Sequence, residues 1–268
     1  MSKNRIINYG KILKQVLPVL EKAGRLALAG QKKIRIEYKG RINPVTDADK
    51  RCEKFLVKEL SKLCDAGFLC EEKTFQKTKE TMWVIDPIDG TVNYSHGGRM
   101  WAVSVSLVRN GTPVIGATYN PANGEIFFAA AGKGSFLNGK KIKVSRIKKM
   151  KRALISTGFP YYVWKTPLRT VELFKKFVVN AQGIRRPGSA TLDMAYVACG
   201  RFDGFWEEGL FPWDTGAGKI LIEEAGGKVT DYSGGEIAIA AKRGNKNRTL
   251  LCSNRLLHKQ MLKIVAEN

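Results

Sequence analysis

Two aspartates three residues apart, Asp86 and Asp89, are the residues of this sequence best suited to carry out chemistry. They follow an apolar run at residues 83–85 that favours a buried strand, and Pro87 is expected to stop that strand because it lacks an N–H donor. Gly90 lets the chain bend there. Carboxylates held this close repel each other unless a cation intervenes, and hard oxygen ligands favour Mg²⁺ or Mn²⁺ over Zn²⁺. A solvent-exposed Asp-rich turn is the alternative interpretation.

Three further acidic residues lie where they could join this site. Glu71 and Glu72 follow the apolar run at residues 68–70, where a solvated strand end is the alternative interpretation. Asp214 precedes an apolar helical pattern, and Pro212 and Asp214 are both favoured in a first helical turn, so a helix cap is the alternative there. Because the chain has only 24 acidic residues against 46 basic ones, their common placement at element ends favours a shared metal site.

Taken together, these motifs resemble the signatures of the inositol monophosphatase family, whose members are magnesium-dependent, lithium-sensitive phosphatases of sugar and nucleotide phosphates. Glu71 and Glu72 match the family's upstream acidic pair, although Cys70 stands where a glycine is usual. The resemblance runs from about Asn43 to Gly227, in the family's order. The other matching segments are residues 86–91 with Asn93 and Tyr94, 186–190, 192–198, 200–204, 213–214 and 217–218.

The resemblance implies a metal centre and a nucleophilic water. Asp86 corresponds to the carboxylate that bridges two metal ions, and Thr91 corresponds to the hydroxyl that orients the attacking water together with Glu71. The implied metal ligands are Glu71, Asp86, the backbone carbonyl of Ile88, Asp89 and Asp214. The implied catalytic residues are Glu71, Asp89, Thr91 and Asp49.

The resemblance also implies how the substrate is held. Gly90 and Thr91 correspond to residues whose backbone N–H groups face the phosphate, and Ser189 and Ala190 to residues that contact the substrate ring. Glu207 corresponds to the acidic residue that receives sugar hydroxyls, with Glu208 as its rival for this role. The full set of implied substrate-binding residues is Asp89, Gly90, Thr91, Ser189, Ala190, Glu207 and Asp214.

Asp49 carries two compatible interpretations. Thr46 and Asp49 have the spacing of a capping box at the start of an apolar helical pattern, and this structural role is the stronger expectation. The resemblance adds that Asp49 lies near the metal centre, where it supports a third, weaker ion, so that two or three Mg²⁺ ions are implied.

This donor set is suited to the hydrolysis of a phosphate ester. Two Mg²⁺ ions about 3.5–4 Å apart lower the pKa of a water and screen the charge on the leaving alkoxide, so no protein nucleophile is needed. Other nucleophilic schemes have little support, because no Ser or Cys lies in a nucleophile-elbow context. Of the two histidines, His96 is expected to order its loop and His258 to lie on the surface.

We therefore expect a phosphomonoesterase acting on inositol 1-phosphate or a similar small polyol phosphate. Fructose 1,6-bisphosphate and adenosine 3′,5′-bisphosphate are the alternatives, because the metal ligands hold the phosphate common to all three. Residues 185–190 and 205–208 look more like the inositol monophosphatase branch than the adenosine bisphosphate branch. A homodimer is expected by analogy with the family alone.

The pattern of elements fits the family's layered αβαβα sugar-phosphatase fold, of mixed α+β and α/β class. Helices are predicted at about 5–30 and 47–64, followed by an antiparallel meander at 82–145 with Asn-Gly turns at 110–111 and 138–139. We expect an N-terminal half, 1–145, with most metal ligands, and an α/β half, 146–268, that completes the site. In the second half, strands are predicted at 153–156, 203–206 and 249–252, and helices near 166–181, 189–199, 212–225 and 254–266.

Composition predicts a soluble globular protein of the cytoplasm. Of its 268 residues 44% are hydrophobic and 26% charged, and no apolar run approaches the ~20 residues of a membrane span. The five cysteines form no close pair of the metal-binding type and are expected to be reduced.

The net charge of +22 is the feature of the sequence that a phosphatase function explains least. One basic segment covers residues 140–152, and a second contains Lys242, Arg243, Lys246 and Arg248. Solvated surface lysines are the favoured interpretation. An electrostatic funnel for anionic substrates and binding to RNA or a transcription complex are the alternatives, although the first segment lacks aromatic residues for base stacking.

Overall fold

The fold is seen in a computed structural model that describes residues 8–32, 36–38, 44–72, 79–160, 163, 167–239 and 247–266. The α-helices are α1 (Tyr9–Gly30), α2 (Asp47–Leu60), α3 (Thr91–Ser95), α4 (Pro167–Asn180), α5 (Ala190–Ala198), α6 (Pro212–Glu224) and α7 (His258–Ala266). The first nine strands are β1 (Ile36–Tyr38), β2 (Pro44–Thr46), β3 (Gly67–Cys70), β4 (Thr81–Asp89), β5 (Ala102–Arg109), β6 (Thr112–Asn120), β7 (Glu125–Ala130), β8 (Gly134–Leu137) and β9 (Lys140–Ile142). The remaining strands are β10 (Leu154–Thr157), β11 (Gly183–Arg185), β12 (Gly204–Leu210), β13 (Lys228–Thr230) and β14 (Asn247–Ser253).

Two large sheets alternate with three layers of helices. The first sheet has the strand order β3-β4-β5-β6-β7-β8-β9, and its pairs are antiparallel except for β3 and β4. The second has the order β11-β10-β12-β14-β13, with β10 parallel to both of its neighbours. Helices α1 and α2 pack on the first sheet, α5 and α6 lie between the sheets, and α4 and α7 pack on the second. This arrangement confirms the predicted αβαβα fold; the division at residue 145 stays a prediction.

Local sequence signals account for most of the predicted elements. Asn110 and Gly111 have φ angles of 49° and 80°, and Asn138 and Gly139 have 48° and 79°, which are the left-handed conformations that an Asn-Gly hairpin turn requires. Thr46 and Asp49 form the predicted capping box of α2. In the part of the chain that the structure describes, no helix is long and apolar enough to cross a membrane.

The prediction that Pro87 stops its strand is wrong. Strand β4 continues to Asp89, and the pairing with β5 shifts in register, since Asp86 faces Ser104 while Asp89 faces Ala102. Between these pairs, Pro87 and Ile88 of β4 oppose the single residue Val103 of β5, which is a β-bulge. A bulge tolerates a proline because the extra residue does not pair.

The prediction that His258 lies on the surface is also wrong, because only 2% of the surface of His258 is exposed to solvent. Its Nε2 lies 2.9 Å from Thr230 Oγ1, and its Nδ1 lies 2.9 Å from Ser253 Oγ. Thr230 Oγ1 already donates to the backbone carbonyl of Asp231, so it accepts from Nε2–H and leaves Nδ1 to accept from Ser253. The neutral imidazole thus ties the start of α7 to β13 and β14.

Acidification is expected to weaken the protein through His258. Burial, with smaller contributions from Lys228 and Arg255, lowers the pKa of His258 from 6.5 to about 4. Between these values the unfolded chain binds more protons, so the stabilisation present above pH 6.5 is lost as the pH falls towards 4. At pH 5 this amounts to about 2 kcal/mol.

Urea unfolding of the wild type and of His258→Gln, from pH 7 to pH 5, measures this effect. The glutamine amide can still donate and accept, but it does not titrate. The wild type should lose about 2 kcal/mol more than the variant over this range. Equal losses in the two proteins would show that His258 does not titrate in this way.

Candidate active site

One cleft collects most of the acidic residues that the sequence singles out. Its cavity of about 250 Å³ lies where β4, β10 and β12 end and where α3, α5 and α6 begin. Asp49 does not line it. The predicted site residues that do are Glu71, Asp86, Ile88, Asp89, Gly90, Thr91, Ser189, Ala190, Glu207 and Asp214, with Glu208 beside them.

The bulge in β4 brings the two signature aspartates to the same cleft. Side chains three residues apart in a regular strand point to opposite faces of the sheet. The extra residue between Asp86 and Asp89 restores a common direction, so both carboxylates line the cavity. The backbone N–H of Ile88 donates to Asp86 Oδ1 over 3.0 Å, which fixes the carboxylate beside the bulge.

Gly90 closes the turn after β4 for two reasons. Its φ angle of 86° is left-handed, and a Cβ at this position would lie 2.8 Å from the carbonyl oxygen of Met100 and 3.1 Å from that of Gly188. Thr91 follows as the first residue of α3, and its hydroxyl donates to the carbonyl oxygen of Ile88 over 3.0 Å. The carbonyl implied as a metal ligand is therefore held in place by the hydroxyl implied to orient water.

Asp89 is positioned by the start of α5. Its Oδ2 accepts three hydrogen bonds, from Ser189 Oγ at 2.5 Å, from the backbone N–H of Thr191 at 2.7 Å and from Thr191 Oγ1 at 2.7 Å. The Ser189 hydroxyl, for which the sequence predicted contact with the substrate ring, is thus engaged with Asp89. The role of Thr191 could not be predicted from the sequence, because nothing in the local pattern shows that it faces a residue about one hundred positions earlier.

Asp214 is both a helix cap and a residue of the cleft. Its Oδ2 accepts the backbone N–H of Phe211 over 2.7 Å, and the side chain also lines the cavity. The glycines that follow let α6 pack closely between the layers: a Cβ on Gly218 would lie 2.6 Å from Met194 Cβ, and one on Gly216 would overlap Ser106. The small residues of this signature therefore set the position from which Asp214 reaches the cleft.

Asn93 joins the two segments that carry Asp89 and its donors. Its amide Nδ2 donates to the carbonyl oxygens of Met100 at 2.6 Å and Pro187 at 2.8 Å. The first carbonyl precedes β5 and the second belongs to the loop before α5. This asparagine therefore fixes the spacing between the α3 segment and the α5 segment.

The remaining predicted residues lie outside the cavity wall. Asp49 Oδ2 accepts from Thr46 N at 2.7 Å and from Thr46 Oγ1 at 2.5 Å, which confirms its structural role in α2. It is still close enough to Asp86 for the charge of Asp49 to raise the pKa of that carboxyl. His96 is exposed at the end of α3 and does not line the cleft.

The electrostatics of the cleft are those of crowded carboxylates. Burial is the main cause that raises the pKa of Asp86, and the charges of Glu71, Asp89, Asp214 and Asp49 raise it further. Burial and the charge of Asp89 likewise raise the pKa of Asp214. Burial and, to a smaller extent, the charge of Asp89 raise the pKa of Glu207 to about 8, while the positive charge of Arg186 lowers it. The cleft is therefore an environment that favours added protons or cations.

The donor set fits a hard divalent cation. The described residues that line the cleft offer carboxylates and a backbone carbonyl but no cysteine or histidine, a composition that suits Mg²⁺ better than zinc. Among the described residues, no three His, Cys, Asp or Glu side chains converge closely enough to enclose an ion.

Comparison with known proteins gives a consistent result. The chain matches the Inositol monophosphatase family over residues 10–268. It is 37% identical to an inositol-1-monophosphatase of Mesorhizobium japonicum, over 87% of this chain and 86% of that protein. It is 38% identical to a Nus factor SuhB of Xylella fastidiosa, over 82% of this chain and 81% of that protein.

A solved structure agrees with these sequence relatives. The inositol monophosphatase of Anabaena (Nostoc) sp. is 35% identical and superposes with a TM-score of 0.86, covering 97% of this chain and 96% of that chain. Both the order of the motifs and the cleft they form are thus accounted for, and the chain belongs to the inositol monophosphatase family.

Proposed function

We propose that this chain is a Mg²⁺-dependent phosphomonoesterase that hydrolyses inositol 1-phosphate or a similar small polyol phosphate with an activated water. Its family makes it a phosphatase of the inositol monophosphatase superfamily. The observation that carries the proposal is the meeting of Glu71, Asp86, Asp89 and Asp214 in one cleft. Such a set of carboxylates suits a site that binds cations and, through them, an anionic ester.

The proposed metal ligands are the four carboxylates and the carbonyl of Ile88. When bound there, Mg²⁺ lowers the pKa of a water and screens the charge that develops on the leaving oxygen. We propose that two or three Mg²⁺ ions bind, the third near Asp49, and that Mn²⁺ can replace Mg²⁺. Asp89 keeps one oxygen for this purpose, because its other oxygen is taken by Ser189 and Thr191.

The chain's own groups hold the water and the phosphate. The Thr91 hydroxyl donates a hydrogen bond to the Ile88 carbonyl oxygen. The lone pairs of Thr91 Oγ1 can therefore accept a hydrogen bond from a water that Glu71 also orients. The backbone N–H groups of Gly90 and Thr91 lie at the start of α3, where the helix dipole favours a phosphate. Glu207 lines the same cleft and is the proposed acceptor for substrate hydroxyls.

Two observations support inositol 1-phosphate or a similar polyol phosphate as the substrate. One relative is named an inositol-1-monophosphatase, and polar side chains that can bind hydroxyls line the cleft. Fructose 1,6-bisphosphate and adenosine 3′,5′-bisphosphate are the alternatives, because the same metal ligands serve any phosphate ester. A homodimer and a cytoplasmic location belong to the proposal as well. The location is supported by the five cysteines, none of which forms a disulfide bond.

Phosphate release tests the proposal directly. At saturating Mg²⁺ we expect kcat/KM to be at least tenfold higher for inositol 1-phosphate than for fructose 1,6-bisphosphate or adenosine 3′,5′-bisphosphate, and Li⁺ to suppress turnover. Asp89→Asn removes one charged ligand while its amide oxygen can still accept from α5, so turnover should fall by about three orders of magnitude with the fold intact.

Asp65→Asn is the matched control, because that aspartate is exposed and pairs only with Lys79 among the described residues. The control should retain wild-type turnover. Full activity in Asp89→Asn would contradict the proposed mechanism, and a preference for either bisphosphate would contradict the proposed substrate.

A second candidate function is RNA binding through the basic segment at residues 140–152. Among the described residues, none of its basic side chains forms an ion pair, and all of them are exposed; they are Lys140, Lys141, Lys143, Arg146, Lys148, Lys149, Lys151 and Arg152. None of them lines the cleft. In the other basic segment, Lys242, Arg243 and Lys246 lie outside the described residues. One relative bears the name of a Nus factor, which is consistent with a role beside the phosphatase reaction.

Salt dependence distinguishes RNA binding from mere surface charge. Replacing Lys148, Lys149 and Lys151 with alanine should reduce the slope of log Kd against log salt concentration for single-stranded RNA by about 2. Replacing the exposed Lys11, Lys14 and Lys22 of α1 removes the same charge elsewhere and should change the slope much less. Asp89→Asn should bind RNA normally. Equal slopes for the two triple variants would reject this segment as the binding surface.

A further inference from the structure

The carboxylate of Glu207 lies directly against the backbone of Gly158. A Cβ built on Gly158 would overlap Cδ, Oε1 and Oε2 of Glu207, and these are the three heavy atoms nearest to it. Gly158 does not have a left-handed φ, so its backbone conformation is open to any residue. The requirement for glycine here is therefore one of space alone.

The strands on which the two residues lie are held in fixed register. Strand β10 ends at Thr157, which pairs with Trp206 of the parallel strand β12, so Gly158 and Glu207 are the next residues on each side. Thr157 Oγ1 also donates to the carbonyl oxygen of Trp206 over 2.8 Å. Glu207 pairs in addition with Leu250 of β14. Because the backbones are fixed on both sides, a side chain at position 158 would have to displace the Glu207 carboxylate itself.

Nearby acidic groups limit where the displaced carboxylate could go. Asp193 is 1% exposed and lies close enough for Glu207 to contribute to raising the pKa of its carboxyl, so the space on that side is already occupied by a buried side chain. Asp89 is also close enough to Glu207 for its charge to raise the pKa of that carboxyl, so it limits the space on another side. Arg186 and Phe159 line the cleft beside Glu207. The direction left for the carboxylate is into the volume that a substrate occupies.

We propose that Gly158 is a specificity-determining residue of this cleft. Because residue 158 has no side chain, the Glu207 carboxylate can lie against the end of β10. The cleft is deeper as a result, and it admits the hydroxyl-bearing part of a polyol phosphate. Substrates without hydroxyls do not need this depth, because their phosphate binds at the side of the cleft that carries Asp86 and Asp89, opposite Glu207. This inference rests on the proposed phosphatase function and adds to it the position that sets the substrate class.

Kinetics on two substrates test the inference. Gly158→Ala should raise KM for inositol 1-phosphate about tenfold, while kcat/KM for phenyl phosphate, which has no hydroxyl to offer, stays within twofold of the wild type. In a Glu207→Ala background the overlap is gone, so adding Gly158→Ala should have no further effect on either substrate. Gly10→Ala, another glycine with a permissive backbone but in α1, is the matched control and should behave as wild type.

Thermal unfolding supplies a readout that does not depend on activity. Gly158→Ala should lower the unfolding temperature when Glu207 is present and leave it unchanged in the Glu207→Ala background. Equal kinetic losses on both substrates, an equal effect in both backgrounds, or wild-type behaviour on inositol 1-phosphate would each overturn the inference. If the wild type does not hydrolyse inositol 1-phosphate, the proposed function and the specificity role fall together, whereas the unfolding data still decide whether Gly158 positions Glu207.

Discussion

Like charges held in a buried cleft are the constraint on which the rest of this structure depends. Glu71, Asp86, Asp89 and Asp214 come from widely separated parts of the chain, yet they line one cleft, and the charges of the other three raise the pKa of Asp86. Burial adds to the repulsion, because a charged group loses solvation when it leaves water. Such an arrangement requires that the surrounding fold hold the carboxylates in place, and bound protons or cations relieve the repulsion among them.

The positioning comes from contacts that cross between the sheets. Asp89 is carried by β4 of the first sheet, yet its oxygen is saturated by donors at the start of α5, which lies between the sheets. Asn93 holds the same two segments together, and α6 delivers Asp214 from a helix packed closely against both β6 and α5. The site therefore exists only when both sheets and the central helices are assembled, which ties catalytic competence to complete folding.

Much of this could be predicted from local sequence, for identifiable reasons. The Asn-Gly hairpins, the Thr46–Asp49 capping box and the acidic residues at element ends depend on neighbours only a few residues away. The Pro87 prediction failed because a bulge cannot be distinguished from a strand end without knowing the partner strand. The prediction that His258 lies on the surface failed because its partners Thr230 and Ser253 lie on strands β13 and β14, outside the helix that His258 begins. The roles of Thr191 and Gly158 could not be predicted for the same reason, since each depends on a residue distant in sequence.

The most direct test of the central claim is the unfolding temperature measured with and without Mg²⁺ for the wild type and for Asp86→Asn. If repulsion among the carboxylates is relieved by cations, Mg²⁺ at about 100 times its Kd should stabilise the wild type by about 2.7 kcal/mol. Asp86→Asn keeps an oxygen for the N–H of Ile88, so without Mg²⁺ it should be at least as stable as the wild type, and it should respond much less to the ion. A wild type that does not respond to Mg²⁺, or a variant that responds equally, would contradict the account.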